Sequence, residues 1–306
     1  MLYSSNKTLL AFSIAFTACQ AAKGTLGFAL GTKKADSSCK AQADYESDFK
    51  LIAAASGSKI VRGYSASDCN AAREILPAAK SQGFQVILGI WPDVEKSYND
   101  DKAAITTYAP KFADQVYAVT VGSETLYRGN FTGATLLAKV NDMKNALKGT
   151  KIKVGTADSW NKYADGTADD LIRGNPDILL VNAFGFWQGQ DTSNATHQYF
   201  DDIMQAYQHI GAINPSHKIE LWTGETGWPS DGGTDFKAAK AGTKNAATYF
   251  SQGICGMLNW GYNVFAFEAF DEPWKPKSKG DGGILADETH WGAMTVDGKS
   301  KYSLKC

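Results

Sequence analysis

Eight short β-rich runs, alternating with stretches of helical composition, limit this chain to very few folds. The runs are Leu26–Leu30, Lys59–Tyr64, Phe84–Ile90, Val116–Glu124, Ile152–Thr156, Ile178–Ala183, Ile219–Glu225 and Val264–Phe270. Between them the composition predicts helix over Tyr45–Ala55, Ala71–Ser81, Ala103–Asp114, Thr135–Leu147, Asp169–Arg173, Thr196–Ile210 and Thr243–Asn259. A strand that returns through a helix re-enters the sheet from the same end, so the strands run parallel. Eight such units in about 285 residues match the count and size of a closed barrel. The expectation is an α/β chain, a single-domain (β/α)8 TIM barrel over residues 22–306. The alternative, an open doubly wound sheet, usually has a glycine-rich phosphate loop after its first strand. Gly27-Phe28-Ala29-Leu30-Gly31 is not such a loop.

The N-terminus points to export. Lys7 precedes an apolar run from Leu9 to Ala18, and Cys19-Gln20-Ala21-Ala22 supplies the small residues of a cleavage site. Residues 1–21 therefore read as a secretory signal peptide, leaving a secreted protein that is extracellular or held in a cell wall. The apolar run is too short to span a bilayer, and no later stretch is long enough. Lys305-Cys306 ends the chain without the apolar tail of a lipid anchor. A net charge of −1 gives no basic excess for nucleic acid. No membrane partner is expected either, and the reading is a monomer.

Of five cysteines, cleavage removes Cys19 and leaves Cys39, Cys69, Cys255 and Cys306, an even set for an oxidising compartment. Three pairings are open; Cys39–Cys69 with Cys255–Cys306 is favoured because it closes the shorter loops. The chain has no Cys-x-x-Cys pair and its four histidines are scattered, so neither a metal nor a cofactor is expected. Asn130-Phe131-Thr132 and Asn194-Ala195-Thr196 are glycosylation sequons.

Two segments carry the chemistry. Val121-Gly122-Ser123-Glu124 and Thr223-Gly224-Glu225-Thr226-Gly227-Trp228-Pro229 each end an apolar run in glycine, a small polar residue or none, and a glutamate. In a barrel both carboxylates stand on the carboxyl-terminal rim, where active sites of this fold lie. Strict alternation groups Glu124 with Ala118, Thr120 and Gly122, and Glu225 with Ile219, Leu221 and Thr223, as the sets that fill the barrel. Two facing carboxyl groups suffice to cleave a glycosidic bond: one protonates the leaving oxygen, the other attacks or activates water. Aromatic residues follow most strands: Tyr64, Trp91, Trp160, Phe184, Phe186, Trp187, Trp228, Phe270 and Trp274. Rings at a cleft bind the apolar C–H face of pyranoses, with Asp158 and Asn182 as candidate partners for sugar hydroxyls.

Val-Gly-Ser-Glu124-Thr-Leu-Tyr-Arg, Thr-Gly-Glu225-Thr-Gly-Trp-Pro-Ser and Phe267-Glu-Ala-Phe-Asp-Glu-Pro-Trp-Lys275 together resemble glycoside hydrolase family 17. Within it, the chain is most similar to the fungal cell-wall β-1,3-glucanases and glucanosyltransferases. The resemblance covers essentially the whole mature chain. It implies a (β/α)8 barrel that acts on β-1,3-glucan with retention, Glu124 being the general acid/base and Glu225 the nucleophile. It also implies sugar-binding roles for Glu272 and Lys275 on the rim, and an acceptor site near the Glu124-Thr-Leu-Tyr127-Arg turn and Trp187. Ser123 stands where many members have Asn. Transfer to another glucan, hydrolysis by the same residues, and a non-catalytic glucan-binding wall protein are the three functions considered.

Overall fold

The computed structural model describes residues 22–216, 218–279 and 285–306; the expected signal peptide lies outside them. Eight parallel strands close into a barrel in chain order: β1 Leu26–Ala29, β2 Ile60–Arg62, β3 Gln85–Ile90, β4 Val116–Ser123, β5 Lys153–Ser159, β6 Ile178–Asn182, β7 Glu220–Thr226 and β8 Asn263–Ala266. Register Phe28↔Ala266 closes the ring between β1 and β8. Helices α1 Gln42–Ser56, α2 Ala71–Gln82, α3 Glu95–Tyr108 and α4 Gly133–Ala146 cover the first half. Short α5 Trp160–Ala164 and α6 Asp169–Arg173, long α7 Thr192–Ile213, and α8 Thr243–Tyr249 continuing through a π-turn into α9 Cys255–Asn259 cover the second. All eight strands fall where the sequence puts them. Helix α3 starts eight residues before its predicted Ala103, because its first turn is polar and lacks the apolar spacing that marks a helix.

Two apolar layers result. The larger packs helices onto the outer face of the barrel, with Val119, Val121, Leu179, Val181 and Ile203 among its members. The smaller fills the lumen with Ile60, Ile87, Ala118, Ala157, Ile178, Leu180, Trp222 and Phe265. Trp222 stacks on Phe265 at 4.9 Å and takes the space of several aliphatic side chains. At the lower mouth Glu220 accepts hydrogen bonds from Tyr117, Lys153 and Trp222, a polar plug under the lumen.

Trp222 corrects the expected face of β7. With Trp222 inside, Ile219, Leu221 and Thr223 must point outward, and the Thr223 hydroxyl does meet Tyr199 of α7 at 2.9 Å. Glu225 reaches the inside because β7 holds one extra residue: Val181 pairs with Thr223, but the next residue, Asn182, pairs with Glu225. β4 has the same device, Thr120 pairing with Gly155 and Ser123 with Ala157. A bulge re-aims the side chains that follow it. Gly122, at φ +93°, makes the bulge in β4 possible.

No helix follows β8 among the described residues. The chain instead makes a hairpin, β9 Lys277–Lys279 with β10 Leu285–Asp287, and returns along the rim, where Met294 pairs with Phe270. Disulfides join Cys39 to Cys69 and Cys255 to Cys306, each with Cα atoms 5.2 Å apart. The second ties the last residue to α9, 51 positions earlier. A loop of that length contributes about 4 kcal/mol in the chain-entropy model. Cys255→Ser and Cys306→Ser should each lower unfolding stability by roughly that amount, read from denaturant midpoints. A non-reducing peptide map should release the C-terminal peptide only after reduction.

Candidate active site

The two bulged strands deliver both glutamates to one cleft of about 960 Å3. Beneath them, at the top of the lumen, lies Arg62 of β2, fully buried. Its guanidinium donates to the Gly224 carbonyl at 2.8 Å, the Ser123 hydroxyl at 3.0 Å and the Asn182 Oδ1 at 3.3 Å. It pairs with Glu225 Oε1 at 2.9 Å. Asn182 then links Glu124 to Arg62, since its Nδ2 donates to Glu124 Oε1 at 3.1 Å while its Oδ1 accepts from the guanidinium. Gly224 has to be glycine: a Cβ there would stand 2.5 Å from Asn182 Oδ1 and 3.1 Å from the Arg62 guanidinium.

Glu124 sits at φ +59°, a left-handed conformation uncommon for a glutamate. The turn after it is held from below. Asp158 accepts from the Leu126 amide at 2.8 Å, Tyr127 at 3.1 Å and Ser159 at 2.9 Å. Arg128 donates to the Ser123 carbonyl at 2.7 Å, pairs with Asp93 and lies 4.7 Å over the Trp91 ring. Burial first, and the charge of Glu225 second, push the Glu124 carboxyl up to about 7. Burial also raises Asp158 to about 6, against the pull of its three amides. Tyr64, under whose ring Arg62 lies at 5.0 Å, is raised by burial and then by Glu225.

Of the residues predicted from sequence, Tyr64, Trp91, Ser123, Glu124, Tyr127, Asn182, Phe184, Trp187, Glu225, Glu272 and Lys275 line the cleft. Three do not. Asp158 is buried under the Glu124 turn and spends its oxygens on backbone amides, which corrects its assignment as a hydroxyl partner. Trp228 is 2 % exposed, donates to the Lys240 carbonyl and packs on Phe186. Phe270 is core as well, its backbone bridged to Met294. Rings of this size serve packing as readily as sugar binding, and sequence carries no sign of which way they turn. The sequence reading missed Arg62, Arg128, Gln188 and Glu268. The strand ending Ile60-Val61-Arg62 did hold a signal, since an arginine inside an apolar strand is buried only if paired. Among the described residues, no group of three or more His, Cys, Asp or Glu side chains could hold a metal ion, and no helix is long and apolar enough to cross a membrane.

A closed (β/α)8 barrel with two coupled carboxyl groups in an aromatic-walled cleft at its carboxyl rim defines the glycoside hydrolase class. Residues 27–292 match the BtgE/BtgC glycoside hydrolase domain, and the chain belongs to that family. It is 56 % identical to a glucan 1,3-beta-glucosidase of Arthroderma benhamiae over 93 % of this chain and 92 % of that protein. A Saccharomyces cerevisiae protein of the same name is 41 % identical over 100 % of this chain and 99 % of its own. Among solved structures, the glycoside hydrolase family 17 beta-1,3-glucanosyltransferase of Rhizomucor miehei superimposes with a TM-score of 0.76 at 26 % identity. That match covers 92 % of this chain and 98 % of that one. An active-site mutant of the same protein is solved in complex with laminaritriose.

The unequal settings of the two glutamates predict a titration. In 13C-labelled protein the Glu124 carboxyl should titrate near pH 7. Glu225→Gln should lower that value by removing the neighbouring charge, yet leave it above the ordinary carboxylate range because burial remains. An unchanged Glu124 titration in the variant would refute the coupling.

Proposed function

We propose that this protein is a retaining β-1,3-glucanosyltransferase of the fungal cell wall, working through a covalent glycosyl-enzyme. The observation that carries this reading is the difference between the two glutamates: Glu225 is paired with a buried guanidinium, while Glu124 keeps its proton to about pH 7. The first is suited to be an ionised nucleophile, the second a general acid.

In this reading Glu225 attacks the anomeric carbon of a β-1,3-linked glucosyl unit. Glu124 gives its proton to the departing glycosidic oxygen, and the shortened chain leaves with a free hydroxyl. Glu124, now a carboxylate, takes the proton of an incoming glucan hydroxyl. That oxygen then displaces Glu225 and restores both carboxyl groups to their starting states. Asn182 keeps the acid oriented, and Arg62 holds Glu225 in place between turnovers. The acceptor lies on the Glu124 side, where Trp91, Tyr127, Arg128 and Trp160 line the cleft.

Hydrolysis is the second reading, supported by the glucosidase names of the relatives at 56 % and 41 % identity. The two differ only in whether a sugar or water reaches the intermediate. Water is present at about 55 M, so transfer requires an acceptor held at higher effective molarity. The aromatic wall beside Glu124 is the feature that favours it. A non-catalytic wall protein is disfavoured by the intact glutamate pair. Secretion and a wall location belong to this proposal, as does the monomeric state.

With millimolar laminari-oligosaccharide the expected products include chains longer than the donor, shifting to shorter ones on dilution. Only shorter products at every concentration would leave hydrolysis standing. Glu225→Gln should lose turnover by several powers of ten while retaining glucan binding. For glucan donors the rate should fall as pH rises through about 7, where Glu124 loses the proton it must donate. An aryl donor with a good leaving group should escape that loss. Equal pH dependence for both donors would remove Glu124 from the acid role.

A further inference from the structure

Across the cleft from Glu124, the segment after β8 presents a cluster of charge that the chemistry above does not use. Glu268 lines the cleft wall yet is only 3 % exposed. Its backbone is fixed on both sides, the amide donating to the Trp291 carbonyl at 3.1 Å and the carbonyl accepting from Ala293 at 2.8 Å. Lys275 donates to Glu268 Oε2 at 2.7 Å and lies 3.1 Å from Glu272 Oε2. Glu272 is itself pressed against the backbone of Gly31, where a Cβ would come within 1.9 Å of its Oε1. Glu268 Oε1 is buried without an amine, amide or hydroxyl donor from the protein, and the Glu272 carboxyl lies within hydrogen-bonding reach of the Glu268 side chain.

A buried acceptor without a partner is costly. Most buried polar atoms are satisfied within a folded protein, and one on the side chain of a cleft-lining residue is one that a ligand can satisfy. The position is informative too. β8 pairs with β7, the Phe267 amide donating to the Thr226 carbonyl at 2.8 Å, so Glu268 stands beside the strand that carries Glu225. Tyr64 registers both carboxyl groups, its phenol raised by Glu225 and by Glu268 as well as by burial. The leaving chain departs on the Glu124 side, so the glucosyl unit that stays with Glu225 extends toward β8 and β1. Two carboxyl groups share one ammonium here, and burial opposes the surplus negative charge, which raises the Glu268 pKa. The group can thus donate to a sugar oxygen or accept from a sugar hydroxyl.

We propose that Glu268 is a specificity-determining residue of the donor site, its free carboxyl oxygen reading one hydroxyl of the glucosyl chain retained on Glu225. The inference rests on the glucan-cleaving assignment above. A site built to hydrogen-bond a hydroxyl rejects analogues that lack it far more strongly than an apolar wall does. Trp274 and Lys275, which line the same end of the cleft, complete the surroundings of that unit.

The test is a cycle between the residue and the sugar. Laminaritriose donors with a single hydroxyl of the retained glucosyl units replaced by hydrogen are compared in the native protein and in Glu268→Gln, through kcat/KM for donor consumption. One deoxy donor should lose roughly ten- to a hundred-fold in the native protein, the range for a hydrogen bond to an ionisable group. In Glu268→Gln the loss for that donor should shrink several-fold, with the other donors' ratios unchanged. If Glu268→Gln slows every donor by one common factor, the residue is structural and the proposal fails. A second measurement does not depend on that variant folding. In crystals of Glu225→Gln soaked with laminaritriose, a glucosyl hydroxyl should lie within about 3 Å of Glu268 Oε1. Contact of that oxygen with protein groups alone would overturn the proposal. Neither failure touches the glucan-cleaving assignment, which stands or falls on the loss of turnover in Glu225→Gln.

Discussion

The upper half of this barrel is organised around one buried positive charge. Arg62 has no contact with solvent, and an unpaired guanidinium there would be prohibitively costly. Its partners come from three other strands: Ser123 of β4, Asn182 of β6, and the Gly224 carbonyl with Glu225 of β7. The requirement runs in both directions. The guanidinium needs a carboxylate within reach, which keeps Glu225 on the cleft floor, and it needs room, which excludes any side chain at position 224. Replacing Glu225 by Gln leaves an amide oxygen for Arg62 to meet, so the shape of the floor survives even though the charge is gone.

The same charge separates the two glutamates. Glu225 has a cation at 2.9 Å. Glu124 has an amide at 3.1 Å and, through it, only indirect contact with Arg62. Burial first, and the neighbouring Glu225 second, raise the Glu124 carboxyl, so that it holds its proton longer. Arg128 does lower Glu124 somewhat, but its guanidinium is already committed to Asp93, the Ser123 carbonyl and the face of Trp91. In the proposed mechanism the division of roles between acid and nucleophile rests on the burial of Glu124 and on the pairing of Glu225 with Arg62.

Periodicity made the strands legible, because each is a continuous apolar run bounded by helix composition, and it made the rim positions of Glu124 and Glu225 legible too. It did not disclose how the side chain of Glu225 turns inward. Alternation assigned Ile219, Leu221 and Thr223 to the lumen, whereas a one-residue bulge reverses the face between Trp222 and Glu225. Glycine before each glutamate was the visible trace of both bulges, since Gly inside a strand marks a bulge or a close backbone approach. Arg62 was hidden for a different reason. Its partners lie 61 to 163 positions away along the chain, and the acceptor that fixes it most closely, the Gly224 carbonyl, belongs to the backbone and leaves no mark in the sequence. Trp228 and Phe270 turned out to be core because the side of the rim a ring faces depends on loops with no period of their own.

The segment after β8 links barrel closure to the shape of the cleft. With no helix after β8 among the described residues, the final segment crosses the rim and inserts Trp291 among Phe184, Phe186, Trp187 and Phe267, with ring centres 5.2 to 5.8 Å apart. Phe184, Trp187 and Phe267 line the cleft, and Trp291, only 1 % exposed, is the surface they rest on. The Trp291 carbonyl also holds the amide of Glu268. One residue of the tail thus positions both the aromatic wall and the acidic one, and the tail stays in place through the Met294 bridge and the bond from Cys306 to α9. The Cys255–Cys306 bond therefore restrains the segment on which one wall of the cleft is built.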